Sequence, residues 1–147
     1  MPHRVHAFAE ALGPDFEVDE DMLRDAMLHG RCANIFFLPM VTKIDLFAVG
    51  PTTYDEVEFS RRYKVQVRAS GEALFVKTPE DTVLRKLLWY REGGEVSSKQ
   101  WRDIVEVLRV SASAIDPRYL ESWSVRLGIH SLFERARSEA SMSDVPR

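Results

Sequence analysis

Lys43 and Asp45 stand two residues apart in the run MVTKIDLFAVG, residues 40–50. Side chains alternate along an extended chain, so Val41, Lys43, Asp45, Phe47 and Val49 share one face and Thr42, Ile44, Leu46 and Ala48 the other. The second face belongs in a core. On the first, two opposite charges sit between large apolar neighbours, where an unpaired charge is costly to bury. Two accounts are open: a half-exposed face whose charges reach water or each other, and a cleft in which a carboxylate holds a metal ion. Lys86 poses a similar question, because it projects beside Thr82, Trp89 and Tyr90 and away from an aliphatic helical stripe. It is either a lysine snorkelling along a solvated helix side or a cation beside aromatic surface, facing a phosphate and a base. Asp103 lies off the face marked by Trp101, next to Val107 and Val110, which gives its helix a second semi-buried side for another helix or a partner subunit to cover.

Other catalytic constellations are not visible. His3, His6, His29 and His130 show no zinc spacing and join no Ser/His/Asp or Cys/His arrangement, so they read as structural. Cys32 is the sole cysteine, which removes a disulfide framework or a thiolate cluster and fits a reducing compartment. Arg61, Arg62, Lys64 and Arg68 form the densest basic stretch, read as a solvated helix end and a charged edge strand. The net charge of −3 gives no broad electrostatic footprint for nucleic acid or an anionic membrane. No apolar run approaches the ~18 residues of a membrane-spanning helix, and MPHRVHAFAEALG is not a signal core. A soluble cytoplasmic protein is the expectation.

The elements that must position these residues are legible from period and punctuation. Val5, Phe8, Ala9 and Leu12 predict a short amphipathic helix stopped by Gly13-Pro14, so the chain begins inside structure. Asp19 caps a second helix with the stripe Met22, Leu23, Ala26 and Met27, closed at Gly30. ANIFFLP and VTKIDLFAV predict an antiparallel pair joined tightly at Pro39-Met40. Thr53-x-x-Glu56 is a capping-box pattern for a short helix ending at Arg61-Arg62, and KVQVR and EALFVK predict a second hairpin around Ala69-Ser70-Gly71. From Thr78 the period becomes helical, with caps at Thr78, Ser97 and Asp116 and stops at Gly93-Gly94 and Gly128. A last helix carries Leu132, Phe133, Ala136 and Ala140. The expected organisation is an α/β lobe over 1–77, a helical lobe over 78–141 and a flexible tail over 142–147.

Taken in order, Lys43-Ile44-Asp45-Leu46-Phe47, then Thr78-Pro79-Glu80-Asp81 running into Lys86-Leu87, then Gln100-Trp101-Arg102-Asp103-Ile104, resemble the signatures of minimal nucleotidyltransferase-like proteins. That group includes the AbiEii-type toxins of bacterial toxin–antitoxin systems. The stretch IDPRYLESWSVRLGIHSLFERA is similar to the helical end of such chains, so the likeness spans nearly the whole sequence. It implies an α+β fold, a nucleotidyltransferase-like mixed sheet with helices followed by a C-terminal helical bundle. In that family three carboxylates hold magnesium: two from an Asp-x-Asp strand near the N-terminus, the third from a later strand whose motif resembles KIDLF. A Gly-Ser or Gly-Gly turn holds the nucleotide phosphates. The resemblance implies that Asp45 is the third carboxylate and the metal ligand, with Lys43 beside it at the catalytic strand. It further makes Lys86 a nucleotide-phosphate contact and Asp103 a supporting polar residue, while Glu80 and Asp81 start a helix rather than act as ligands.

The sequence departs from the family where the first catalytic strand is due. No Gly-Ser or Gly-Gly turn followed by an Asp-x-Asp strand precedes Asp45, since Asp19-Glu20-Asp21 opens a helix. Two-metal phosphoryl transfer needs several convergent carboxylates. The expectation is therefore a truncated nucleotidyltransferase-like protein, not catalytic and without a cofactor on its own, serving as a nucleotide-binding or interaction module in a toxin–antitoxin or defence context. Two alternatives stand beside it. One is an active enzyme using Mg2+ and a nucleoside triphosphate, completed by an upstream segment or a partner chain; the other is a small α/β interaction protein. Loss of the first strand would expose a sheet edge, so a homo-oligomer or a partner chain is expected to cover it.

Overall fold

The computed structural model describes residues 4–67 and 71–142. The expectations for His3, for Arg68 and the Ala69-Ser70 turn, and for the tail beyond Met142 lie outside these residues. The fold is mixed α+β: among the described residues, seven helices, a three-stranded and a two-stranded antiparallel sheet, with helices filling the C-terminal part. The chain divides into two compact units, Met1–Phe59 and Ser60–Arg147. The second hairpin, read from the sequence with the α/β lobe over 1–77, lies in the unit Ser60–Arg147 with the C-terminal helices.

The first unit runs α1 (Val5–Leu12), β1 (Phe16–Val18), α2 (Glu20–His29), β2 (Cys32–Phe37), β3 (Thr42–Phe47) and α3 (Thr53–Ser60). Helix α2 starts where Asp19 accepts a hydrogen bond from the Met22 N–H at 2.9 Å, a cap worth about 1 kcal/mol. It ends at Gly30, whose φ of 64° is the left-handed conformation that glycine adopts without Cβ strain. Its apolar stripe is narrower than the sequence suggests, because Leu23 and Ala26 are buried while Met22 and Met27 face solvent. Leu23 and Ala26 pack with Val5, Ala33, Val18 and Leu46 into a small core. Strands β1, β2 and β3 form one antiparallel sheet in that order, with Asn34 opposite Asp45 and Phe36 opposite Lys43. The tight connection expected between β2 and β3 is a 3-10 turn over Leu38–Met40, closed by Val41 at φ 49°. The helix before β4 is capped one residue earlier than the pattern suggests. Thr52 Oγ1 accepts from the Asp55 N–H at 3.1 Å, and Asp55 Oδ2 accepts from the Thr52 N–H at 3.0 Å, which makes Thr52-x-x-Asp55 the reciprocal box. Gly50 leaves room for it, since a Cβ there would collide with the Asp55 carboxylate.

The second unit opens with the hairpin of β4 (Tyr63–Gln66) and β5 (Ala73–Val76) and continues through α4 (Pro79–Glu92), α5 (Ser98–Val110), α6 (Pro117–Arg126) and α7 (His130–Met142). The predicted caps act as drawn: Thr78, Ser97 and Asp116 accept hydrogen bonds from the N–H groups of Asp81, Gln100 and both Arg118 and Tyr119. Each helix then buries its stripe. Val83, Leu84 and Leu87 of α4, Ile104 and Val105 of α5, Leu120 of α6 and Phe133 and Ala136 of α7 are removed from solvent. An aromatic cluster reinforces this core: the Tyr90 and Trp101 rings lie 5.1 Å apart, and the Arg135 guanidinium stacks 3.7 Å from the Trp101 ring centre. Trp101 Nε1 donates to Glu139 Oε2 at 2.7 Å, which ties α5 to α7. Among the described residues, no helix is long and apolar enough to cross a membrane.

Candidate functional site

Strand β3 presents Lys43 and Asp45 at an edge of the sheet, paired with β2 and last in the strand order among the described residues. Lys43 Nζ lies 3.1 Å from Asp45 Oδ1, and Asn34 Nδ2 donates to the same oxygen at 2.6 Å from the opposing register position. The side chains remain 54 % and 44 % exposed, so the geometry is that of a half-exposed face whose two charges reach each other and water. Surface pairs of this kind contribute about 0 to 1 kcal/mol. Asp45 Oδ2 has no protein partner among the described residues. Within the first unit, no group of three metal-ligating side chains includes Asp45 among the described residues.

Lys86 and Asp103, expected separately as a phosphate contact and a supporting residue, are brought together. Lys86 on α4 donates to Asp103 Oδ2 on α5 at 2.9 Å. The hydrogen bond from Lys86, followed by its charge, holds the Asp103 carboxyl below the ordinary value of 3.8. A lowered folded-state value makes the pair's contribution fully present above pH 3.8 and lost as pH falls through the lowered value. A phosphate approaching Lys86 would compete with Asp103 for the ammonium group. Lys86 of α4 reaches Asp103, whose side chain stays 45 % exposed, Val107 is half-buried and Val110 is 75 % exposed, so the second side of α5 is only partly covered.

A further polar constellation centres on Asp81, read from the sequence as a helix-start residue. It does start α4, and it is also fully buried at 0 % exposure. Thr78 Oγ1 donates to Asp81 Oδ2 at 2.8 Å and accepts from the Asp81 N–H, Arg61 Nε donates to Oδ2 at 2.9 Å, and Tyr119 OH donates to Oδ1 at 2.6 Å. Glu80 joins the array, 3.5 Å from Arg61 Nη2, while its Oε1 accepts the Asp116 N–H at 2.8 Å. The Arg61 guanidinium lies 3.8 Å over the Tyr119 ring. Burial pushes the Tyr119 hydroxyl well above its ordinary value, and the hydrogen bond to the Asp81 carboxylate adds to this. For Arg61, burial lowers basicity, but the bond to Asp81 and its negative charge outweigh it and the value rises.

This array corrects the reading of Arg61 as part of a solvated helix end. Helix α3 stops at Ser60, and Arg61 turns inward to the start of α4, whereas Arg62 and Lys64 lie 5.5 and 5.4 Å from the Phe75 ring centre. A buried carboxylate with three side-chain donors is a structural joint: its lone pairs are committed, and it locks the β4 entry, α4 and α6 together. The sequence signal for it was the acidic pair directly after a cap and a proline. The missing element was Tyr119, 38 residues away. Comparison with known proteins returns no matching family model, no matching curated protein and no matching solved structure.

Proposed function

We propose that this chain is an interaction module on a nucleotidyltransferase-like frame, that it does not transfer nucleotides by itself, and that a second copy or a partner chain pairs with β3 in a toxin–antitoxin or defence setting. One observation carries the reading: Asp45, the carboxylate that would serve the chemistry, stands on an edge strand, is held by Lys43 and Asn34, and joins no group of three metal-ligating side chains among the described residues. A lone carboxylate cannot hold two magnesium ions in the geometry of in-line transfer. As the last strand in the order β1-β2-β3, β3 offers a sheet edge, and a sheet edge is a template for main-chain pairing with another chain.

A second reading, a Mg2+-dependent nucleotidyltransferase completed by further residues, draws on Asp45 Oδ2 and on the partly exposed Lys86. Sedimentation velocity over a dilution series, alongside incubation with radiolabelled nucleoside triphosphates and Mg2+, tests both. The expected result is a dimer that dissociates on dilution, with no transfer of label. A monomer at every concentration removes the pairing, unless a partner chain restores it on addition. Label transfer that disappears in Asp45→Ala establishes the second reading.

A further inference from the structure

Helix α6 and helix α7 place Glu121, His130 and Glu134 together, with one donor atom from each lying within 4.8 Å of the other two. His130 and Glu134 are one helical turn apart on α7, and Glu121 faces them from α6. The hydrogen bonds around the imidazole fix its orientation. Ser124 is fully buried, and its hydroxyl donates to the Glu121 carbonyl oxygen at 2.9 Å. A hydroxyl has one proton, so at His130 Nδ1, 3.1 Å away, Ser124 Oγ acts as acceptor and Nδ1 carries hydrogen. In the neutral ring the lone pair is then on Nε2, which points at Glu121 Oε1 at 3.6 Å.

A lone pair aimed at a carboxylate is repulsive unless a cation lies between them. Glu134 adds an independent observation: its Oε2 is held by Arg137 at 2.6 Å, but its Oε1 is shielded from solvent and has no hydrogen-bond partner. Arg137 also approaches Glu121 Oε2 at 3.8 Å, so it occupies the outer oxygens of both carboxylates and leaves the inner ones to the imidazole side.

We propose that Glu121, His130 and Glu134 bind a divalent transition-metal ion of the zinc class, through His130 Nε2 and one oxygen from each carboxylate. One imidazole and two carboxylates suit Zn2+ and its neighbours in the affinity order, whereas Mg2+ favours oxygen ligands alone. Ser124 serves as the outer hydrogen-bond partner that orients the liganding histidine. Three protein donors leave a fourth position for water. The donors already lie within 4.8 Å of one another, and Glu121, 48 % exposed, has room to rotate its side chain toward the other two.

The test is isothermal titration of the full chain with ZnCl2 in a Cys32→Ser background, which removes the exposed thiol as a competing soft ligand. One Zn2+ per chain is expected, with Mg2+ failing to compete, and the affinity falling by about tenfold or more in Glu121→Gln and in His130→Gln. His130→Gln disturbs the Ser124 bond, so Glu121→Gln, checked for native circular dichroism, decides alone where His130→Gln misfolds. Absence of Zn2+ binding, or wild-type affinity in folded Glu121→Gln, overturns the proposal and leaves a proton on Nε2 as the cation. This outcome is independent of nucleotide transfer and of pairing at β3.

Discussion

Asp45 and Asp81 are the same residue type, each flanked by a nearby cation, and the molecule treats them in opposite ways. Asp45 sits on an edge strand with one oxygen held and the other open, nearly half of its side chain in water. Asp81 is out of water, with Thr78, Arg61 and Tyr119 spending both of its oxygens. The sequence resemblance points to Asp45 as the residue of interest and to Asp81 as a helix start, but Asp81 carries the fuller set of side-chain donors of the two. The difference shows that a carboxylate ready for a ligand is one whose lone pairs remain uncommitted. One that is buried and saturated secures the fold.

The sharpest way to break this contrast is Asp81→Ala, which leaves Arg61 and Tyr119 without their shared acceptor. Removing one partner of a buried pair costs about 3 to 5 kcal/mol, so urea denaturation should show a loss of that order, and a loss below about 1 kcal/mol would mean Asp81 is not the joint described. Tyr119→Phe should cost less, about 2 kcal/mol, because it deletes one hydrogen bond to a charged acceptor. The same residue gives a pH signature. A raised hydroxyl value makes its contribution fully present below the ordinary value of 10.0, with loss as pH rises above it. The wild-type protein should therefore lose stability above that pH through Tyr119, and in Tyr119→Phe this part of the alkaline slope should be absent in pH-dependent denaturation curves. The smallest effect belongs to Asp45→Asn, within about 0.5 kcal/mol of wild type in the same urea assay. A loss near that of Asp81→Ala would erase the distinction between the two aspartates.

Much of the architecture was readable in the residues. The caps at Asp19, Thr78, Ser97 and Asp116 and the β2–β3 pair follow from local chemistry that acts over three or four residues. Strand β1 was not identified, because Phe16–Val18 is three residues long and shows too little alternation to mark a period. The box at Thr52 was displaced by one position because adjacent threonines at 52 and 53 offer two frames, and only Asp55 turning back onto Thr52 selects between them. Lys86 and Asp103 were each singled out without their partnership being visible, since an ion pair across two helices depends on how those helices pack. The Asp81 array and the Glu121, His130 and Glu134 group share that limit. Each joins residues from different helices, and no single helical period brings them into view.

The division of the chain at Phe59 also separates its chromophores. All three tryptophans, Trp89, Trp101 and Trp123, belong to the second unit, and the first has none. Indole emission therefore watches the four-helix part alone, while a tryptophan placed at exposed Phe36 would give the β2–β3 sheet its own optical signal. Whether the two halves melt together or in sequence becomes a question that one cuvette and two proteins answer.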